Sequence, residues 1–242
     1  MGMRGRRLRY GLIAAAALVS FVFLNNTNLF VSRPTQKSTL LAHRGVAQRF
    51  DTAGLAADTC TAARMVPSGH RFIENTIASM RAAFDAGADI VELDVQPTTD
   101  GQFAVFHDWT LDCRTDGKGR TRDHDMASLR KLDVGHGYTA DGGKTFPLRG
   151  AGAGLMPDSC NGTMVLVPIN IAPWLWGWPD RLLDRFARVG TQVFVVGPFG
   201  GEGFSTGLNT PEDLIGLPQA YRGGIWTDEI DLVARTLRGR SG

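Results

Sequence analysis

Apolar and polar positions divide this chain into a short leader and one long domain. Tyr10–Leu24 is apolar except for Gly11 and Ser20, and Arg4, Arg6, Arg7 and Arg9 precede it. A basic stretch followed by an apolar core is the pattern of a signal sequence or signal anchor. The run falls short of the ~20 residues of a full span. No clean small-residue cleavage site follows at Asn25-Asn26-Thr27-Asn28. An uncleaved signal anchor is expected, with a cleaved signal peptide and a secreted product as the alternative. In either case the arginines stay cytoplasmic and the remainder is exported. Residues 1–9 are thus the basic n-region, 10–24 the anchor, 25–38 a linker and 39–242 the domain.

Within the domain the pattern alternates between short apolar strands and amphipathic helices. Strands are expected at Thr39–His43, Asp89–Val95, Gln102–His107, Thr163–Ile171, Gln192–Val196 and Gly224–Thr227. Ile77, Met80 and Phe84 recur at helical spacing after an Asn75 or Thr76 cap, and Gly87 stops that helix. Further helices are expected at Met126–Leu132, Asp180–Val189 and Asp231–Leu237, and Thr210-Pro211-Glu212-Asp213 reads as another helix start. Strand, helix, strand in that order predicts a parallel α/β unit. Val46–Gly69 reads as a long loop with a helical turn near Thr61–Met65. Gly135–Gly154 reads as a glycine-rich connector that matches no phosphate-loop pattern.

Composition narrows the class without naming a reaction. The 242 residues are 43% hydrophobic and 21% charged, ordinary for a globular domain. A net charge of +2 does not argue for nucleic acid, and no protein partner is inferred. Cys60, Cys113 and Cys160 have no zinc-site spacing. Outside the cytoplasm they would allow one bridge and one free thiol, with Cys60–Cys113 the expected pair; the alternative is three unpaired thiols.

Candidate chemistry gathers at strand ends. In Asp89–Val95 the apolar Val91, Leu93 and Val95 alternate with Glu92, Asp94 and Gln96, so Glu92 and Asp94 share a face. Two carboxylates on one face suit a hard divalent cation, or they are a solvated strand face. His107 closes the next strand where a proton-transfer group would sit. His43 ends the first strand; it is structural or catalytic, and Arg44 beside it is a surface charge or a phosphate clamp. Glu74 favours the following helix electrostatically or braces the site. Trp174, Trp176 and Trp178 line a pocket, touch a bilayer or, as expected here, pack the connection into the next helix.

These residues resemble the glycerophosphodiester phosphodiesterase family. The resemblance runs through His43-Arg44-Gly45, Glu74-Asn75-Thr76, Gly87-Ala88-Asp89, Glu92-Leu93-Asp94-Val95, Thr99-Asp100-Gly101 and His107-Asp108, in that order, and more loosely through the Gly224-Ile225-Trp226-Thr227 tail. It implies an α/β fold of the TIM-type (β/α) barrel. It also implies hydrolysis of a small-molecule glycerophosphodiester to an alcohol and glycerol 3-phosphate. Carried over, His43 and His107 would be the acid/base pair, Glu92 and Asp94 would bind Ca²⁺ or Mg²⁺, and Arg44 would hold the phosphate. Two histidines near neutral pKa can serve both proton-transfer roles.

The chain departs from this family in its middle. The family's third acidic metal ligand, on the strand after the His-Asp strand, has no counterpart, and Asp158–Gly162 leads almost directly into a strand that resembles a later one. The strand candidates are fewer than the eight of a closed barrel. The expectation is an incomplete barrel lacking an internal segment, with Asp108, Asp158 or Asp228 as substitute ligands. The alternatives are a catalytically impaired relative with a binding or scaffolding role, and a phospholipase-type enzyme acting on bilayer lipids.

Overall fold

The structure is a computed structural model that describes residues 3–31, 37–56, 59–134, 161–201, 205–219 and 221–240. Its first element is helix α1, Met3–Asn26, which contains the whole apolar run. The domain then opens on β1, Thr39–Ala42, the second strand of a five-stranded parallel sheet. Strand β2 (Ile90–Val91) lies on one side of β1. On the other side follow β7 (Gly224–Thr227), β6 (Gln192–Val196) and β5 (Met164–Pro168). Register is set by Leu41 opposite Ile90 and Trp226, and by Val195 opposite Ile225 and Val167.

Period-two alternation sends side chains to two faces of this sheet. Leu40, Ala42, Val195 and Ile225 face outward onto α2 (Ile77–Ala86) and α5 (Ile230–Arg240), through Ala83, Val233 and Ala234. Leu41, Phe194, Val196 and Trp226 form a second cluster on the opposite, inner face. Helix α4 (Asp180–Arg188) covers β5 and β6 with Leu182 and Phe186. The short α3 spans Met126–Leu129.

Two expected strands take a different form. Asp89–Val95 splits into β2 and β3 (Val95–Pro97), with residues 92–94 in neither. The break has a local cause: Asp94 N donates to Asn75 Oδ1 (3.1 Å) instead of to a neighbouring strand. The expected Gln102–His107 strand is β4, Phe103–Val105, and it pairs antiparallel with β3 outside the parallel sheet. This hairpin buries Gln96 and Ala104 and leaves Val95, Phe103 and Val105 exposed on its other face. Leu93, beside the two carboxylates, is also exposed. The Thr210–Asp213 start yields a single 3-10 turn at Asp213–Gly216, because Leu217-Pro218 follows at once. The long loop carries its turn at Thr61–Arg64, as expected. The glycine-rich Gly135–Gly154 connector lies outside the described residues. Cys60 and Cys113 form a disulfide with Cα atoms 5.7 Å apart, and Cys160 lies outside the described residues.

Candidate active site

The site assembles where β1, β2 and β7 end on the inner face of the sheet. His43 is two residues beyond Leu41 and so shares its face. Its backbone N–H donates to Thr227 O (2.9 Å), and its ring lies 4.1 Å from that of Trp226. His43 Nδ1 is 2.6 Å from Asp228 Oδ1. Asp228 is itself held by Asn209 Nδ2 (2.8 Å) and Gly207 N (3.1 Å) at Oδ2. Burial works against its charge. The His43 hydrogen bond, the nearby imidazole and these two donors outweigh burial and bring its pKa down to about 2. With Asp228 ionised, the Nδ1 proton of His43 points to that carboxylate, and Nε2 is the nitrogen left to exchange a proton.

Arg44 and Gly45 turn the chain sharply after His43. Arg44 has φ 57° and Gly45 φ 83°, both left-handed. A Cβ on Gly45 would lie 2.8 Å from the Ser79 carbonyl carbon and 2.9 Å from Met80 N, so only glycine lets the turn press on the start of α2. Thr76 caps α2 by accepting from Ser79 N. Glu74 and Asn75, just before that cap, are thereby aimed back at the turn.

Arg44 is buried and lies among carboxylates. Its Nη1 donates to Glu74 Oε1 (3.1 Å), its Nε is 2.9 Å from Asp94 Oδ2, and its backbone N donates to Glu92 Oε2 (3.2 Å). Asn75 Nδ2 also donates to Asp94 Oδ2 (2.9 Å). Glu92 and Asp94 therefore converge on Arg44 through the break after β2. Glu92 Oε2 comes 3.8 Å from His43 Nε2. Burial raises the Glu92 pKa, and the Asp94 charge adds to that, while His43 and Arg44 oppose it.

His107 follows β4 and is buried. Its Nδ1 is 2.8 Å from Asp108 Oδ1, and Arg114 Nε donates to Asp108 Oδ2 (3.0 Å). Burial lowers the His107 pKa despite Asp108, which makes the ring neutral at pH 7. Asp108 is lowered even though burial pushes it up, because His107 and Arg114 together outweigh that cost. Arg114 Nη1 also lies 3.8 Å from Glu74 Oε1. Glu74 is thus buried between two guanidiniums and accepts from Gln48 N (2.7 Å); burial still raises its pKa to about 7.

All six predicted site residues meet in this one region. The substitute third ligands fare differently. Asp228 is engaged by His43, Asn209 and Gly207, Asp108 by His107 and Arg114, and Asp158 lies outside the described residues. Among the described residues no group of three metal-ligating side chains converges. Sequence reasoning missed Arg114, Asn209 and Trp226, and it read Asp108 and Asp228 as ligands when both seat on histidines. The His107-Asp108 adjacency carried a signal for one pair. Nothing local signalled the other, whose partners are 185 residues apart.

Residues 43–152 match the family model described as the Glycerophosphoryl diester phosphodiesterase family. This part of the chain is similar to that family. A glycerophosphodiester phosphodiesterase of Caldanaerobacter subterraneus subsp. tengcongensis is 48% identical over 62 residues, which are 26% of this chain and 26% of that protein. The glycerophosphodiester phosphodiesterase 1 of Rattus norvegicus is 34% identical over 105 residues, 43% of this chain and 25% of that protein. Each match spans about a quarter of the relative's own length. A solved protein of Silicibacter pomeroyi DSS-3, assigned to the glycerophosphoryl diester phosphodiesterases, is 15% identical. It superposes over 91% of this chain and 98% of its own, with a TM-score of 0.51. That likeness shows a common TIM-type α/β fold, of which the parallel sheet with outer helices is the visible part.

Proposed function

We propose that this chain is a membrane-anchored, extracytoplasmic phosphodiesterase that hydrolyses glycerophosphodiesters to an alcohol and glycerol 3-phosphate. The observation that carries this reading is the pair of histidines, each with Nδ1 on a carboxylate, at an acidic cluster organised around a buried arginine. Hydrolysis of a phosphodiester calls for a base beside the attacking water and an acid beside the leaving oxygen. His107, kept neutral by burial, fits the base; His43 then takes the acid role. Asp228 and Asp108 set the tautomers and orient both rings.

Glu92 and Asp94 supply two hard oxygen ligands from one turn of chain. Mg²⁺ commonly binds through one or two carboxylates with waters and substrate phosphate completing its shell, whereas Ca²⁺ takes six to eight oxygens. The donor set therefore suits Mg²⁺ better. The cation, when bound, would neutralise charge on the phosphoryl oxygens. Arg44, already between Asp94 and Glu74, would add a guanidinium at the same place.

The leader supports the location. Arg6–Asn26 is 21 residues long, apolar over Tyr10–Leu24 and unburied, and the disulfide fits an oxidising compartment. We read the five strands as an arc of a (β/α) barrel that stays open.

The test is turnover of glycerophosphocholine by the full chain with Mg²⁺ or Ca²⁺, with and without chelator. Chelator-sensitive turnover that His43→Ala lowers by roughly 10²–10⁴-fold is expected. That no third metal-ligating side chain converges among the described residues favours a second reading, an impaired relative that binds diesters without cleaving them. Saturable diester binding by a folded chain with no turnover would select it.

A further inference from the structure

Helix α1 does not trail away from the domain; its last turn is clamped to α4. Arg181 Nε (3.0 Å) and Arg185 Nη2 (2.6 Å) donate to the Asn25 carbonyl, and Arg185 Nη1 donates to Asn26 Oδ1 (2.9 Å). Just past the helix, Asn28 Nδ2 donates to Trp178 O (2.9 Å) and Asn28 Oδ1 accepts from Arg181 N (2.8 Å). A helix C-terminus presents unsatisfied carbonyls and partial negative charge, so two guanidiniums there are a matching cap. The joint fixes where α1 leaves the domain and at what angle.

That exit lies at the functional end of the sheet. Helix α4 follows β5, so its first turns sit beside the C-terminal ends of the parallel strands. His43, Glu92 and Asp228 follow β1, β2 and β7 at that same end. An exposed apolar rim occupies it too. Trp174 is 83% exposed and Trp176 48%, both between β5 and α4. Phe199, after β6, is exposed and is tied to the β5 loop by paired hydrogen bonds with Asn170 (both 2.9 Å). Leu29 and Phe30, just beyond α1, are exposed as well. Of the three clustered tryptophans only Trp178 has the packing role expected of all, with its ring 5.4 Å from that of Tyr221.

We propose that this rim is a bilayer-contact surface: Trp174, Trp176, Leu29 and Phe30 seat in the lipid headgroup region, and the Arg181/Arg185 clamp turns the mouth of the site toward the membrane. The occupant follows from α1. The candidate span Arg6–Asn26 is 21 residues long and unburied, with the apolar run Tyr10–Leu24 at its centre and arginines at its start that can reach back to the interface. At 1.5 Å per residue that is about 30 Å, the thickness of a hydrocarbon core. A bilayer that takes up α1 must have its interface where α1 ends, and the rim is there. Tryptophan is the side chain that favours this depth. The contact does not depend on which reaction the site performs. If the phosphodiesterase reading holds, the diesters reached first are those generated at or held by the lipid surface.

The full chain in phosphatidylcholine vesicles, with acyl chains brominated close to the headgroup, reports the contact through tryptophan quenching. Trp109 is also exposed, so it is replaced by Phe throughout. In that background strong quenching is expected, and Trp174→Phe/Trp176→Phe should lose most of it, since Trp178 and Trp226 are packed in the protein. Absent quenching, or equal quenching in the double variant, would overturn the proposal. Asn28→Ala loosens the joint from the linker side without touching a buried group. It should lower the quenching while the chain still floats with the vesicles; unchanged quenching would show that the clamp does not orient the domain. None of these readings uses turnover, so the contact and the reaction stand or fall separately.

Discussion

Asp228 need not touch a substrate to matter; through its 2.6 Å contact it holds His43 Nδ1 and leaves Nε2 to transfer the proton. Asp228→Asn keeps the shape and removes the charge. If the proposed reaction holds, kcat should fall by roughly 10²-fold with little change in KM, because orientation of the acid is lost and substrate contacts are not. Stability should change as well. The folded pKa of Asp228 lies below its ordinary value, so its contribution is present above about pH 4 and is lost as pH falls toward about 2. That contribution is on the order of 2 kcal/mol. Denaturant unfolding of wild type and Asp228→Asn should differ by about this much at pH 6 and converge near pH 2. A gap that persists at pH 2 would assign the effect to packing instead. At this scale legibility followed sequence distance. His43, Arg44, Glu74, Glu92, Asp94 and His107 stood in short recognisable groups, whereas Asp228 and Asn209 gain meaning only once β7 is laid against β1.

The turn between β1 and the long loop shows how one element positions another. Gly45 and Gly101 both have left-handed φ, but a Cβ at Gly101 would meet nothing within 4 Å, while at Gly45 it would strike Ser79 and Met80. Gly101→Ala should therefore cost about 1 kcal/mol from backbone strain alone, and Gly45→Ala roughly 2–5 kcal/mol. Equal losses in denaturant titrations would mean that the close approach to α2 is unimportant. The alternation in Asp89–Val95 located both carboxylates but misjudged how they converge. Period two assumed an unbroken ladder, and the Asn75 amide interrupts it. Likewise the cap, proline and acids at Thr210–Asp213 were sound local signals, overruled by a proline placed too soon after them.

For the whole molecule, the parallel sheet, its outer helices and the apolar leader were readable from pattern. The antiparallel pairing of β3 with β4 was not readable, since both strands alternate as a barrel strand would. The Cys60–Cys113 bridge adds a global constraint across 53 positions of sequence. Its loss through Cys60→Ser should lower unfolding free energy by about 2–4 kcal/mol, read as an earlier thermal transition. An unchanged transition would assign the bridge no part in stability. The bridge also gives the site an order of birth. Glu74, Glu92, Asp94, His107 and Asp108 all lie inside the covalent ring it closes, whereas Asp228 arrives more than a hundred residues later. If the proposed export holds, a chain threading through the membrane can oxidise that ring while β5, β6 and β7 are still unmade. The acidic half of the site would then wait, already tied, for the last strand to deliver the carboxylate that sets His43.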